Sequence, residues 1–273
     1  MRRPADPLLA QRIISAVILV PLVIANIWLG GWAFRFLVIL CAVLLAYEYG
    51  RMLTRAPRYG TRFAAFVGVS IAVGFAVVAS HGPAAGFWLP VLSAVTAFAI
   101  GARIVGDRVR AFTGVLYIGV PALAVVWLRD LPDQGLLALL SVLICVWLTD
   151  TASYFTGRRF GVARLAPRLS PNKTWAGFWG GLAAGPVALA FIAAVDGHGV
   201  LLLAALTGLV LALAGQGGDL FESWLKRGCG TKDSGRLIPG HGGLLDRLDS
   251  LMFAAPTMVV LCLVFGGGAL PWR

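Results

Sequence analysis

Asp219, Glu222, Ser223 and Lys226 recur at i, i+3, i+4 and i+7 in the string GQGGDLFESWLKR, and on a helix that spacing sets them along one face. Two carboxylates beside an ammonium have two uses. They form an i,i+4 ion-pair ladder on a wetted surface, Glu222 to Lys226, or they hold a hard cation against an anionic ligand. The next segment, KRGCGTKDSGRLIPGHGGLLDRLDS from Lys226 to Ser250, packs eight Lys, Arg or Asp and six Gly into 25 residues. Glycines permit tight turns and close backbone approach, and successive free N–H groups make anion-binding concavities. Neither G-x-x-x-x-G-K-[ST] nor G-x-G-x-x-G is present, so no standard nucleotide fold follows. Asp246 and Asp249 close the segment, three residues apart. Asp249 or Ser250 suits the N-cap of a following helix as well as Asp249 suits ligation; Asp246 lies too far before the apolar run for capping. His241, between glycines, is either a turn residue or a phosphate donor.

A second polar stretch repeats the recipe. LTDTASYFTGRRFG sets Asp150 and Tyr154 one helical turn apart, and RLSPNKTWAG then supplies Arg168, Ser170, Lys173 and Thr174 ahead of an apolar run. Hydroxyls and a cation just before a helix start suit a phosphate, because the N-terminal N–H groups and the helix dipole point there. Ordinary capping, with cations kept on one side of a membrane, yields much of the same pattern. Acids for a divalent cation and bases for phosphate oxygens together argue for phosphoryl or nucleotidyl chemistry. Magnesium prefers oxygen ligands, binds through one or two carboxylates and bridges to substrate phosphates.

These islands sit in a greasy chain. Of 273 residues 59% are hydrophobic and 13% charged, against roughly 45–50% apolar and 25% charged in a soluble domain. An all-α, polytopic integral membrane protein is expected. A hydrocarbon core of about 30 Å needs about 20 apolar residues per helix, and that ruler gives about nine spans: 13–29, 32–50, 63–80, 84–101, 111–128, 136–155, 176–195, 199–221 and 250–269. Of the 23 Lys and Arg, all but Arg35, Arg129 and Arg273 fall in the N-terminal segment or in the second, fourth, sixth and eighth connections. By the positive-inside rule the N-terminus and both polar loops, 156–175 and 222–249, are cytoplasmic and the C-terminus is outside. The formal charge of +11 is then topological, and no nucleic-acid partner is expected.

The first apolar stretch follows arginines as a signal peptide does, yet lacks an A-x-A-like cleavage site, so it reads as a retained helix. With no linker or repeat, residues 1–273 read as one integral domain: 1–135 with little chemistry and 136–273 as the catalytic half. In the first part Glu48 is the candidate, although an acid at a helix end commonly just reaches water. Gly177, Gly181 and Gly185, with Gly180 beside them, allow close helix approach, within the chain or across a homodimer seam. The four cysteines have no disulfide or zinc spacing.

The pattern S-x-x-K-R-x4-K-D-S-G-x-x-I-P-G-H-G-G-x-x-D-R-x-D, spelled from Ser223 to Asp249, resembles the signature of phosphatidate cytidylyltransferases. D-x-x-x-Y-x-x-G at Asp150, Tyr154 and Gly157, the FG at Phe160 and Gly161, and S-P-x-K-T-W-x-G from Ser170 to Gly177 are similar to that family too, so the specific resemblance runs from Asp150 onward. It implies an enzyme of the cell (inner) membrane, active at the cytoplasmic face, that transfers CMP from CTP to phosphatidic acid and requires Mg2+. It further implies metal ligation by Asp219 and Asp246, then Asp249 and Asp150. Lys226, Arg227, Lys232 and Arg247 would hold phosphates, with Ser170, Lys173, Thr174, Ser223, Asp233 and Tyr154 around the substrates and His241 in the signature. The rivals are a related CTP-dependent enzyme on another lipid, such as an ether-lipid cytidylyltransferase or a polyprenol kinase, and a transporter. A transporter calls for ionisable groups near mid-span, and the acids here cluster at span ends.

Overall fold

The computed structural model describes residues 7–54, 57–81, 89–104, 106–235, 237–238 and 242–273. Among them run nine helices: α1 Pro7–Leu29, α2 Gly31–Thr54, α3 Pro57–His81, α4 Leu89–Ile104, α5 Arg108–Arg129, α6 Gly135–Phe160, α7 Trp175–Asp196, α8 Leu201–Gly228 and α9 Leu245–Phe265. Seven are long and apolar enough to cross a membrane; α1 and α4 contribute the shorter apolar stretches Val17–Leu29 and Leu92–Gly101. Large apolar side chains such as Phe36, Val69, Phe191 and Val195 are mostly exposed, as a lipid-facing surface requires.

Among the described residues one hairpin interrupts the helices. Within the loop expected at 156–175, β1 Arg164–Ala166 pairs antiparallel with β2 Ser170–Thr174. A strand of this length, read from the string SPNKT, carries no apolar alternation, and so the sequence gives no sign of it. β2 runs directly into α7, where the Thr174 hydroxyl caps the helix by accepting from the Gly177 N–H at 3.1 Å.

The chain packs as two compact units, one made of Met1–Val126 with Cys229–Arg247 and the other of Trp127–Gly228 with Leu248–Arg273. The sequence reading divides the chain near residue 135 and leaves the polar island with the later helices. Packing gathers 229–247 with the N-terminal helices instead.

In the first unit α2 packs on α3 around Phe34, Leu45, Phe63 and Ile71. Tyr49 lies against Phe63, with ring centroids 5.4 Å apart, and its hydroxyl donates to the Arg110 carbonyl at 3.0 Å. A buried phenol needs such a partner.

In the second unit α7 packs against both α6 and α8, and glycine is what lets it. A Cβ at Gly181 would lie 2.9 Å from the Thr149 carbonyl oxygen and collide with the Ser153 hydroxyl; one at Gly185 would collide with the Gly208 backbone of α8. The small-residue stripe is therefore filled from within the chain. The C-terminal tail closes this unit: the Val200 N–H donates to the Trp272 carbonyl at 2.8 Å, the Leu270 N–H to Gln134 Oε1 at 3.0 Å, and Arg273 Nε to Asp196 at 2.8 Å.

Gly185→Val should therefore cost about 1–3 kcal/mol, the usual price of overpacking. Gly217→Ala on α8, where an added Cβ meets nothing within 4 Å, should stabilise by up to about 1 kcal/mol through helix propensity. Thermal unfolding of the two variants in detergent checks both.

Candidate active site

The carboxylates of the second unit come together where α8 meets the beginning of its section of α9. Helix α8 continues through Gly228, so Asp219, Glu222, Ser223 and Lys226 share the face their spacing implies. A Cβ at Gly218 would sit 2.5 Å from the Asp249 carbonyl oxygen. Its absence brings the two backbones together beside Asp219, and Phe221 stacks on Phe253 at 5.4 Å to hold them. One oxygen each from Asp219, Glu222 and Asp249 then lies within 4.8 Å of the others.

Two ammonium groups serve this cluster. Lys173, carried in by β2, places Nζ 2.6 Å from Asp219 Oδ2, and Lys226 places Nζ 2.5 Å from Glu222 Oε2. The second pair has the i,i+4 spacing of a surface ladder, but its side chains are 14% and 1% exposed. In that setting the pair is far less screened than on a wetted helix face. Asp150, on α6, adds a carboxylate within electrostatic range of Asp219 and Lys173. Three clustered carboxylates against two ammoniums leave an excess of negative charge, and Asp150 enlarges it. Hard oxygen donors in that number and spacing fit a divalent cation such as Mg2+.

The other expected residues of this unit fall around the cluster. Thr174 is buried and committed to capping α7, Ser170 opens β2, and Ser223 is buried on α8. Arg227 donates through Nε to the Leu169 carbonyl at 3.2 Å, tying the end of α8 to the hairpin. Tyr154 is exposed, its hydroxyl accepting from Arg158 at 2.9 Å.

Asp249 is not an N-cap. Helix α9 begins at Leu245, five residues before the expected start, which leaves Asp249 inside the helix. The helix extends back past the apolar run because Asp246 supplies its first turn. The Asp246 carboxylate accepts from the Gly243 N–H at 3.2 Å and from the Ser234 N–H at 3.2 Å, reaching back as the acid of a capping box does.

Within the first unit Asp246 is one of a pair of carboxylates bound to the same turn. The other carboxylate is Glu48 of α2, which is 2% exposed and accepts from the Leu245 N–H at 2.9 Å and the Ser234 hydroxyl at 3.3 Å. Burial rules out the alternative that Glu48 simply reaches water. Lys232, Asp233 and Arg247 are exposed, and His241 lies outside the described residues.

Two contributors are only half legible in the sequence. Glu222 falls on the expected face, where the spacing leaves open both an ion pair to Lys226 and a shared hold on a cation, but nothing in the spacing brings Asp249 to it. Glu48 carried a single signal, an acid in an apolar run, without an indication of its partner.

Comparison with known proteins extends the kinship beyond the segment from Asp150 onward. A model of the cytidylyltransferase family matches residues 10–265. The phosphatidate cytidylyltransferase of Brucella suis is 37% identical over 269 residues, 96% of each chain. That of Pseudomonas aeruginosa is 36% identical over 272 residues, 96% of this chain and 100% of the relative. That of Staphylococcus epidermidis is 42% identical over 156 residues, 57% of this chain and 59% of the relative. Matches spanning both the apolar helices and the polar segments leave one conclusion: this chain belongs to the cytidylyltransferase family.

Proposed function

We propose that the chain transfers a cytidylyl group from CTP to phosphatidic acid, giving CDP-diacylglycerol and pyrophosphate. The observation that carries this reading is the Asp219, Glu222 and Asp249 cluster with its two lysines, in a chain related along almost its whole length to phosphatidate cytidylyltransferases. A phosphate oxygen of phosphatidate attacks the α-phosphorus of CTP. A new P–O bond forms there, and the bond from the α-phosphorus to the bridging oxygen of the β-phosphate breaks. The nucleophile is already an anion near neutral pH, so no strong base is needed. The obstacle is bringing two polyanions into contact, and positioning with charge neutralisation supplies the acceleration.

Asp219, Glu222 and Asp249 would hold Mg2+, with Asp150 beside them; when bound, it would neutralise phosphate oxygens in the way two lysines alone do not. Lys173 and Lys226 hold the carboxylates together and are placed to turn toward phosphate oxygens. Arg227 fixes the hairpin that carries Lys173. Lys232, Arg247 and His241 take phosphate-binding roles from the resemblance, with Ser170, Ser223, Asp233 and Tyr154 around the substrates. Asp246 serves by bracing the island backbone.

The same reading sets the protein in the inner membrane of a bacterium with nine crossings, α1 and α4 joining the seven longer helices. The N-terminus and both polar segments are then cytoplasmic, where the Lys and Arg accumulate, and the C-terminus is outside.

Purified protein in detergent with phosphatidate, Mg2+ and CTP labelled at the α- or the γ-phosphate tests the reaction. Label enters lipid from the α position only in cytidylyl transfer and from the γ position only in kinase action; γ-label in lipid, or none from either, sinks the proposal. Asp219→Asn and Glu222→Gln should each lower α-label incorporation by about 100-fold or more, since each 1.36 kcal/mol of lost transition-state stabilisation is about tenfold. Wild-type rates in both would remove the cluster from the mechanism. Lys173→Met should cost less, about 10-fold, and should lower the Mg2+ concentration needed for half-maximal rate, because losing the ammonium beside Asp219 leaves more negative charge for the cation to neutralise.

A further inference from the structure

We infer that Glu48, in the N-terminal helix α2, is a positioning residue for cytidylyl transfer: it clamps the Asp233–Ser234–Gly235 turn and so sets the conformation of the segment bearing Lys232, Asp233, Asp246 and Arg247. The inference rests on the function proposed above for what those residues do, and on geometry alone for how they are held.

The Ser234 hydroxyl and the Leu245 N–H that donate to the Glu48 carboxylate belong to the island, 186 and 197 residues away in the chain. Ser234 couples two carboxylates, its hydroxyl donating to Glu48 and its backbone N–H to Asp246. Between Gly230 and Leu244 the described residues form no helix or strand, only the single bridge from Ile238 to Gly242. The bonds of Ser234 to Glu48 and Asp246 tie its described part to α2 and to the start of α9. The fit is close as well. A Cβ on Gly235 would collide with the Glu48 carboxylate, and one on Gly243 would collide with the Ser234 hydroxyl.

A buried carboxylate is a poor way merely to fill space. Apolar residues of similar volume pack a helix interface at no desolvation cost, whereas a buried acid needs its donors. Glu48 obtains them, at Oε2, from Ser234 in the glycine-rich loop and from the Leu245 N–H at the start of α9. The turn at Asp233–Ser234–Gly235 is thereby held to the start of α9, next to Lys232 on one side and Asp246 and Arg247 on the other.

The test uses the full chain in detergent, with Glu48→Ala, Gly235→Ala, and the pair Glu48→Asp with Gly235→Ala. Activity is read from α-labelled CTP, and the loop from the rate of tryptic cleavage after the exposed Lys232. Glu48→Ala should lower kcat at least about tenfold while changing KM for CTP less than about threefold, the pattern of lost transition-state positioning. It should also speed cleavage after Lys232 by at least about tenfold, with helical circular dichroism retained, as local opening requires. Gly235→Ala should do the same, and the shorter Asp at 48 should recover at least about threefold of the Gly235→Ala loss, because contacting sites are not additive. Wild-type kcat and protection in Glu48→Ala, or a double variant no better than Gly235→Ala alone, would overturn the assignment. Proteolysis needs no turnover, so a chain inactive toward CTP and phosphatidate would sink the function while the clamp was still measured.

Discussion

A carboxylate carried into an apolar helix bundle must find a cation or hydrogen-bond donors, and the polar architecture of this chain follows from that requirement. An unpaired charge at such depth costs several kcal/mol, comparable to the stability of a whole domain. The two clusters meet the demand differently. Asp219 and Glu222 each take an ammonium, from Lys173 and Lys226. Glu48 and Asp246 take main-chain N–H groups and a hydroxyl. The first arrangement leaves a compact cation beside each acid. The second spends its acceptors on backbone and yields a fixed loop.

Close backbone approach makes either solution possible. Gly218 sets α8 against α9 so that Asp219 and Asp249 share a site, and Gly235 leaves room for the Glu48 carboxylate. In both places an added methyl would meet backbone or a buried acid rather than the movable end of a side chain. The dense glycines of the polar stretches are thus packing devices as much as turn formers, and the same holds for Gly181 and Gly185 within α7.

Much of this was legible in the sequence, and the reasons for success and failure are physical. Long apolar runs have one comfortable conformation in a bilayer, so the helices fall where hydropathy places them. The face bearing Asp219, Glu222 and Lys226 follows from helical period alone. What period does not encode is contact between distant segments. The meeting of Asp249 with Glu222, and of Glu48 with Ser234 across most of the chain, depends on packing that local spacing leaves open. The early start of α9 was hidden for a related reason: Asp246 and Arg247 look like loop in hydropathy, and only the bond back to Gly243 makes them helix. The β hairpin was invisible because its strands are only three and five residues long and show no apolar alternation.

The choice of lysine in the carboxylate cluster has a consequence for its chemistry. Arginine would grip Asp219 or Glu222 through a rigid two-pronged fork, and exchanging that grip for another partner would break two matched bonds at once. An ammonium is a point charge on a flexible stem, able to pass from one oxygen to another without losing a fitted geometry. Lys173 and Lys226 keep three like charges within 4.8 Å of one another, a concentration that would otherwise drive the acids apart or keep them protonated. The arginines stand where permanence is useful: Arg227 holds the hairpin that carries Lys173, and Arg273 holds the tail to Asp196. Movable cations lie on the acids and fixed ones on the scaffold. That division suits a site that must accept two polyanions and release one.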